Sequence, residues 1–136
     1  MAVKMYDLVL KLEPNNSYTY FSKGFALYEL GKNELALEAY NKGIEFNPND
    51  AKAYFYKGLA LDVLQEYEEA IRSYDTALEL EPNEPVIYFN KGNIYFNIEE
   101  YELAIKMYNK TIQLNPDDFR AYVNKGIVLG ILKNII

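Results

Sequence analysis

The chain has 136 residues, 50% of them hydrophobic and 25% charged, with a net charge of −6 and neither Cys nor His. That composition is one domain's worth of globular chain, and it excludes a disulfide framework, a thiolate or imidazole metal site and His-based acid–base catalysis. The acidic balance argues against nucleic acid and anionic membranes as partners; no apolar run approaches the roughly 20 residues of a membrane span, and the early Asp7 does not suit a secretory leader, so a cytoplasmic protein is expected.

Elements repeat with a period of 34 residues. Residues 1–16 carry the pattern of a second helix: Ala2 and Tyr6 stand one period before Ala36 and Tyr40, and Pro14 closes the segment. Residues 17–50 form the first full unit, with Tyr20 and Gly24 one helical turn apart, a turn at Leu30-Gly31-Lys32-Asn33, and a second helix through Ala36 and Tyr40. Residues 51–84 repeat it with Tyr54, Gly58, Leu61, Ala70, Tyr74 and Ala77, and residues 85–118 with Tyr88, Gly92, Ala104 and Tyr108. Residues 119–136 restart the pattern at Tyr122 and Gly126 and match a first helix only. The spacing therefore predicts eight helices: a half unit, three units and a half unit, forming one array.

Each unit ends in a Pro with polar neighbours, at Pro14, Pro48, Pro82 and Pro116. Proline stops the preceding helix, and an Asn or Asp after it can cap the next. Glu34, Glu68, Glu69 and Glu102 fall in the first turn of second helices, where the helix dipole favours acid. A mid-helix Gly costs about 1 kcal/mol against Ala. Keeping one per unit predicts a close helix contact, with the second-helix Ala as its small partner and the two Tyr series filling the space around it. Lys23, Lys57, Lys91 and Lys125 are expected to lay their stems on the core edge and hold their charge in water.

The residues Tyr54, Gly58, Leu61, Ala70, Tyr74, Ala77 and Pro82, and their counterparts one period away, resemble the tetratricopeptide repeat. The resemblance covers the whole chain. It departs at the four Lys positions, where the family often has Leu, and at Gly43 and Thr111, which replace the Ala matched by Ala77. It implies an all-α, right-handed solenoid of antiparallel helix pairs, no enzymatic activity and no cofactor, and a protein or peptide partner held in a groove lined by first helices.

Carried over residue by residue, that groove comprises Phe21, Phe25, Lys52, Phe55, Tyr56, Leu59, Phe89, Asn90, Asn93, Arg120, Val123, Asn124 and Ile127. The family's clamp for a terminal carboxylate is broken here, because Phe21 and Phe25, or Phe55 and Leu59, stand where it needs Lys and Asn. The expectation is instead an exposed apolar row of Phe21, Phe55, Phe89 and Val123, with a polar end of Asn90, Asn93, Asn124 and Arg120. No phosphate-binding Gly loop, activated Ser or Ca²⁺ loop occurs, so a catalytic site and a metal site are not expected. The final segment is apolar nearly all round. Its Ile127, Val128, Leu129, Ile131, Leu132, Ile135 and Ile136 are expected to form a self-association surface, making a homo-oligomer through the termini the alternative function.

Overall fold

The computed structural model describes residues 2–135. Among them are eight helices: α1 (Ala2–Leu12), α2 (Ser17–Glu29), α3 (Asn33–Phe46), α4 (Ala51–Val63), α5 (Tyr67–Leu80), α6 (Pro85–Asn97), α7 (Tyr101–Leu114) and α8 (Phe119–Ile135). The expected association residue Ile136, and the side chain of Ile135, lie outside the described residues. Helices pair most extensively as α2 with α3, α4 with α5, and α6 with α7. Two compact units result, Met1–Glu81 holding α1 to α5 and Pro82–Ile136 holding α6 to α8.

Local sequence explains the helix ends. Asn16 accepts the Thr19 N–H at 3.0 Å, Asp50 the Lys52 N–H at 3.0 Å and Asp118 the Arg120 N–H at 3.1 Å, so first helices are capped by side chains as the sequence suggests. Helix α6 has no such bond at Glu84 and instead starts on Pro85, whose missing N–H costs nothing there. The turns inside the pairs need a left-handed residue, supplied by Gly31 at φ 78° and by Gln65 and Glu99 at φ 63°. The last two are not residues that favour this region, so their turns carry backbone strain on the order of 1–2 kcal/mol.

The two most regular sequence series are joined by hydrogen bonds. The Tyr20, Tyr54 and Tyr88 hydroxyls donate to the carbonyl oxygens of Pro14, Pro48 and Pro82 at 3.1, 2.9 and 3.1 Å. Each bond ties a first helix to the turn that precedes it.

The packing contact differs from the expected one. A Cβ placed on Gly24 would meet the Tyr40 ring at 2.6 Å, one on Gly92 would meet Tyr108 at 2.6 Å, and one on Gly58 would strike Tyr74. The partner of each glycine is thus the second-helix tyrosine ring, not the alanine. The bare backbone forms a seat for an aromatic face, and all three rings are buried. Burying a side chain of this size contributes roughly 1.5–3 kcal/mol, enough to exceed the propensity cost of the glycine. Gly126 departs from the series, with nothing within 4 Å of its Cβ position.

In the first unit, Leu27, Ala36, Ala39 and Tyr40 form a core against which Val3, Phe21, Tyr28 and Tyr56 pack. In the second, Phe89, Ala104, Tyr108, Ala121 and Val128 do the same, with Leu132 packed alongside. Two expectations are corrected by this. Phe89 is 7% exposed, so it belongs to the core and not to an exposed row. Val128 is fully buried and cannot be part of an association surface. Both pack into the cluster built around Tyr108 of α7, which takes their side chains out of water. Among the lysines, Lys23 makes an ion pair with Asp7 at 2.6 Å, and Lys91 is buried rather than held out in water.

Gly58→Ala should lower stability by roughly 1–3 kcal/mol by driving a methyl into a ring that has no room to withdraw. Gly126→Ala, facing open space, should be neutral or gain up to about 1 kcal/mol from helix propensity. Urea unfolding followed by circular dichroism distinguishes the two; equal effects would show the tyrosine seat to be misplaced.

Candidate functional site

In the first unit, helices α2 and α4 flank a shallow concavity of about 270 Å³. It gathers four of the expected groove residues, Phe21, Phe25, Lys52 and Tyr56, and adds Tyr6 from α1, Tyr18 and Ser22 from α2, and Tyr40 from α3. Tyr40, seated on Gly24, reaches this concavity as well, and Phe21 packs over Gly43. Phe25 is 42% exposed and meets Tyr56 edge-on, with ring centres 5.2 Å apart. Tyr56 in turn lies nearly parallel to Tyr40 at 6.4 Å, and Phe55 contacts both Tyr56 and Tyr74. Phe55 and Leu59 are half-buried, and Lys52 is exposed at the rim. The wall is therefore largely aromatic, with Ala53 in it and the opposite charges of Lys52 and Asp50 at its edge.

A larger hollow of about 460 Å³ in the same unit is lined by Val3, Tyr20, Leu35 and others, but the Lys23–Asp7 pair that borders it is already matched in charge. The aromatic concavity is the better candidate, since its apolar rings are left partly in water.

In the second unit the expected polar residues turn out to be engaged. The Tyr108 hydroxyl donates to Asn93 Oδ1 at 2.6 Å, and Asn124 Nδ2 donates to the same oxygen at 3.0 Å. Burial pushes the Tyr108 phenol up to about 12, partly offset by its interaction with Asn124, so it remains a donor at neutral pH. Asn93 and Asn124 thus satisfy a buried tyrosine and are not free hydrogen-bonding groups, contrary to expectation. Arg120 stacks over Phe89 at 4.5 Å and bonds to Asp118 at 3.3 Å, and that guanidinium holds the Asp118 carboxyl below its ordinary range. Its charge is committed inside the chain. Asn90 is half-buried, whereas Val123 and Ile127 are exposed.

The remaining association residues divide. Leu129 is exposed, while Ile131 and Leu132 are half-buried. Among the described residues no group of three or more His, Cys, Asp or Glu could hold a metal ion, and no helix is long and apolar enough to cross a membrane. Sequence reasoning missed Tyr6, Tyr18 and Tyr40 as parts of the concavity. Tyr40 had been accounted for by the repeat pattern, and nothing in that pattern tells a ring that only packs from one that also forms a wall.

Helix pairs in register at one period, each locked by a glycine and a tyrosine, define an all-α solenoid. The tetratricopeptide repeat profile matches residues 85–118, and the related TPR repeat profile matches 24–61 and 64–99. The chain belongs to the tetratricopeptide repeat family. Among solved structures it is similar to that of MamA, at 30% identity over 93% of this chain and 74% of that one, with a TM-score of 0.90. It is similar to YrrB, described as a TPR protein with an unusual peptide-binding site, at 27% identity over 91% of this chain and 64% of that one, TM-score 0.84. The first TPR of Spaghetti (RPAP3), bound to the HSP90 peptide SRMEEVD, shares the fold at 22% identity over 87% and 94%, TM-score 0.82. A search of curated proteins gave no match.

Asn93→Ala should destabilise the protein by roughly 1–3 kcal/mol, because it strands the buried Tyr108 hydroxyl. Tyr108→Phe in that background should recover part of the loss, measured by thermal melting. A variant as stable as the parent would show that the amide does not hold the phenol.

Proposed function

We propose that the chain is a non-catalytic scaffold whose aromatic concavity between α2 and α4 holds an extended segment of a partner protein. The observation that carries this is the exposed face of Phe25, set with Phe21 and Tyr56 in a wall that the protein leaves partly in water. An apolar side chain laid there gains by leaving water, and Lys52 and Asp50 at the edge can pair with polar neighbours of the segment. Peptide binding by structural neighbours such as YrrB supports the same class of partner. Short peptides selected from a random library on the folded chain provide the test. Tyr18→Ala, at an exposed ring that lines the concavity, should weaken the selected peptides severalfold without unfolding the protein; unchanged affinities would remove the concavity as the site.

A second reading, self-association, is favoured by Gly126. In α2, α4 and α6 the equivalent glycine seats a tyrosine ring, but around Gly126 the space is open and Tyr122 and Leu129 are exposed. Helix α1 shows a complementary apolar row of Met5, Leu8, Val9 and Leu12, all exposed and all on one helix face. A second copy's α1 laid on α8 would bury both rows, a head-to-tail contact that propagates unless it closes. Sedimentation across a concentration series should show association that Leu129→Lys and Leu8→Lys each abolish. Loss with Leu129→Lys alone would indicate a symmetric α8 contact instead, and a monomer at every concentration would end this reading.

A further inference from the structure

One buried tyrosine is solved in two ways in this chain. In the second unit, Tyr108 gives its hydroxyl hydrogen to Asn93, which is steadied by Asn124. Two repeats earlier the same three slots hold Tyr40, Phe25 and Tyr56. Here the Tyr40 hydroxyl is buried with no hydrogen-bond partner among the described residues. A buried donor without an acceptor is costly, and native structures rarely leave one unmatched. No described acceptor lies within hydrogen-bond reach, and burial, followed by the neighbouring Tyr56, Tyr28 and Glu29, keeps the phenol protonated.

Tyr40 also forms part of the wall of the concavity, beside Phe21, Phe25 and Ser22. The Phe25 ring stands in the slot that Asn93 fills in the second unit and is substantially exposed. Rings at such positions change rotamer on the picosecond-to-nanosecond scale. When Phe25 swings toward solvent, the vacated slot has an aromatic side wall and a single unmet donor at its base.

We propose that this concavity reads a carboxamide: a Gln or Asn side chain of the partner segment enters the Phe25 slot and accepts the Tyr40 hydroxyl hydrogen through its amide oxygen. The proposal rests on the reading of this face as a peptide site and specifies what the peptide must carry. The chain's own Asn93 shows the geometry that such an amide would adopt. A Gln suits a ligand arriving from outside, since its two methylenes span the aromatic wall. The amide N–H₂ can be accepted by the Ser22 hydroxyl, which also lines the concavity. A carboxylate fits less well, because it would bring a charge into a largely aromatic pocket where Lys52 is already offset by Asp50.

Tyr40→Phe is the informative variant. It removes only an unmet donor, so it should fold at least as well as the parent. Short random peptides selected on the parent protein should show Gln or Asn enriched at one position. Replacing that residue with Leu should weaken a selected peptide by about tenfold on the parent and leave it nearly unchanged on Tyr40→Phe, a coupling that a merely structural role would not produce. Phe25→Asn, which transplants the internal solution, should raise the melting temperature and block the same peptides. Enrichment of Asp or Glu instead, or Gln and Leu peptides that bind alike on the parent, would overturn the carboxamide assignment while leaving the peptide face in place. A library that yields no binder would overturn both.

Discussion

The structure depends on one steric fit, the ring of a second-helix tyrosine lying on the bare backbone of a first-helix glycine. It recurs as Gly24 with Tyr40, Gly58 with Tyr74 and Gly92 with Tyr108. A glycine inside a helix is unfavourable in isolation, and a tyrosine buried to its hydroxyl carries a polar group into the core. Together they let the two helices of a pair approach closely, and in the first unit the seated Tyr40 itself forms part of the wall of the candidate site.

Burying the ring creates a secondary demand, since its hydroxyl must also be placed. The second unit meets the demand with Asn93 and Asn124. The first unit surrounds Tyr40 with rings and leaves the hydroxyl unmatched. Repeats with the same frame therefore differ in chemistry at the same depth, one polar and closed, the other aromatic and partly open. The chemical difference between these repeats lies at positions 25 and 56, where rings stand in place of the amides of Asn93 and Asn124.

Much of this was legible in the sequence. The 34-residue period, the helix ends at the prolines and the Asn and Asp caps are local properties, set by residues within a few positions of one another. That first helices would line a concave face was implied by the family resemblance, and α2 and α4 do flank the candidate concavity. What the sequence could not reveal was depth. Phe21, Phe55 and Phe89 occupy one slot in the repeat, yet Phe89 is in the core beneath Arg120. Val128 is likewise apolar in an apolar helix, and only the packing of α7 against α8 separates it from exposed Leu129. The partner of the glycines was misread for a similar reason: alanine and tyrosine lie on the same face of the second helix, and which of them reaches the glycine depends on how far the ring extends.

Each glycine–tyrosine lock joins residues only 16 positions apart and is completed within a single helix pair. Closing a loop of that size costs little entropy, so the contact can form before any longer-range packing exists. Three such nuclei, at residues 24–40, 58–74 and 92–108, give the chain several places to begin ordering. Folding should accordingly be fast and governed by local contacts, as in other helical proteins of low contact order. The same locality isolates damage: a substitution that breaks one lock leaves the other two nuclei with all of their own residues.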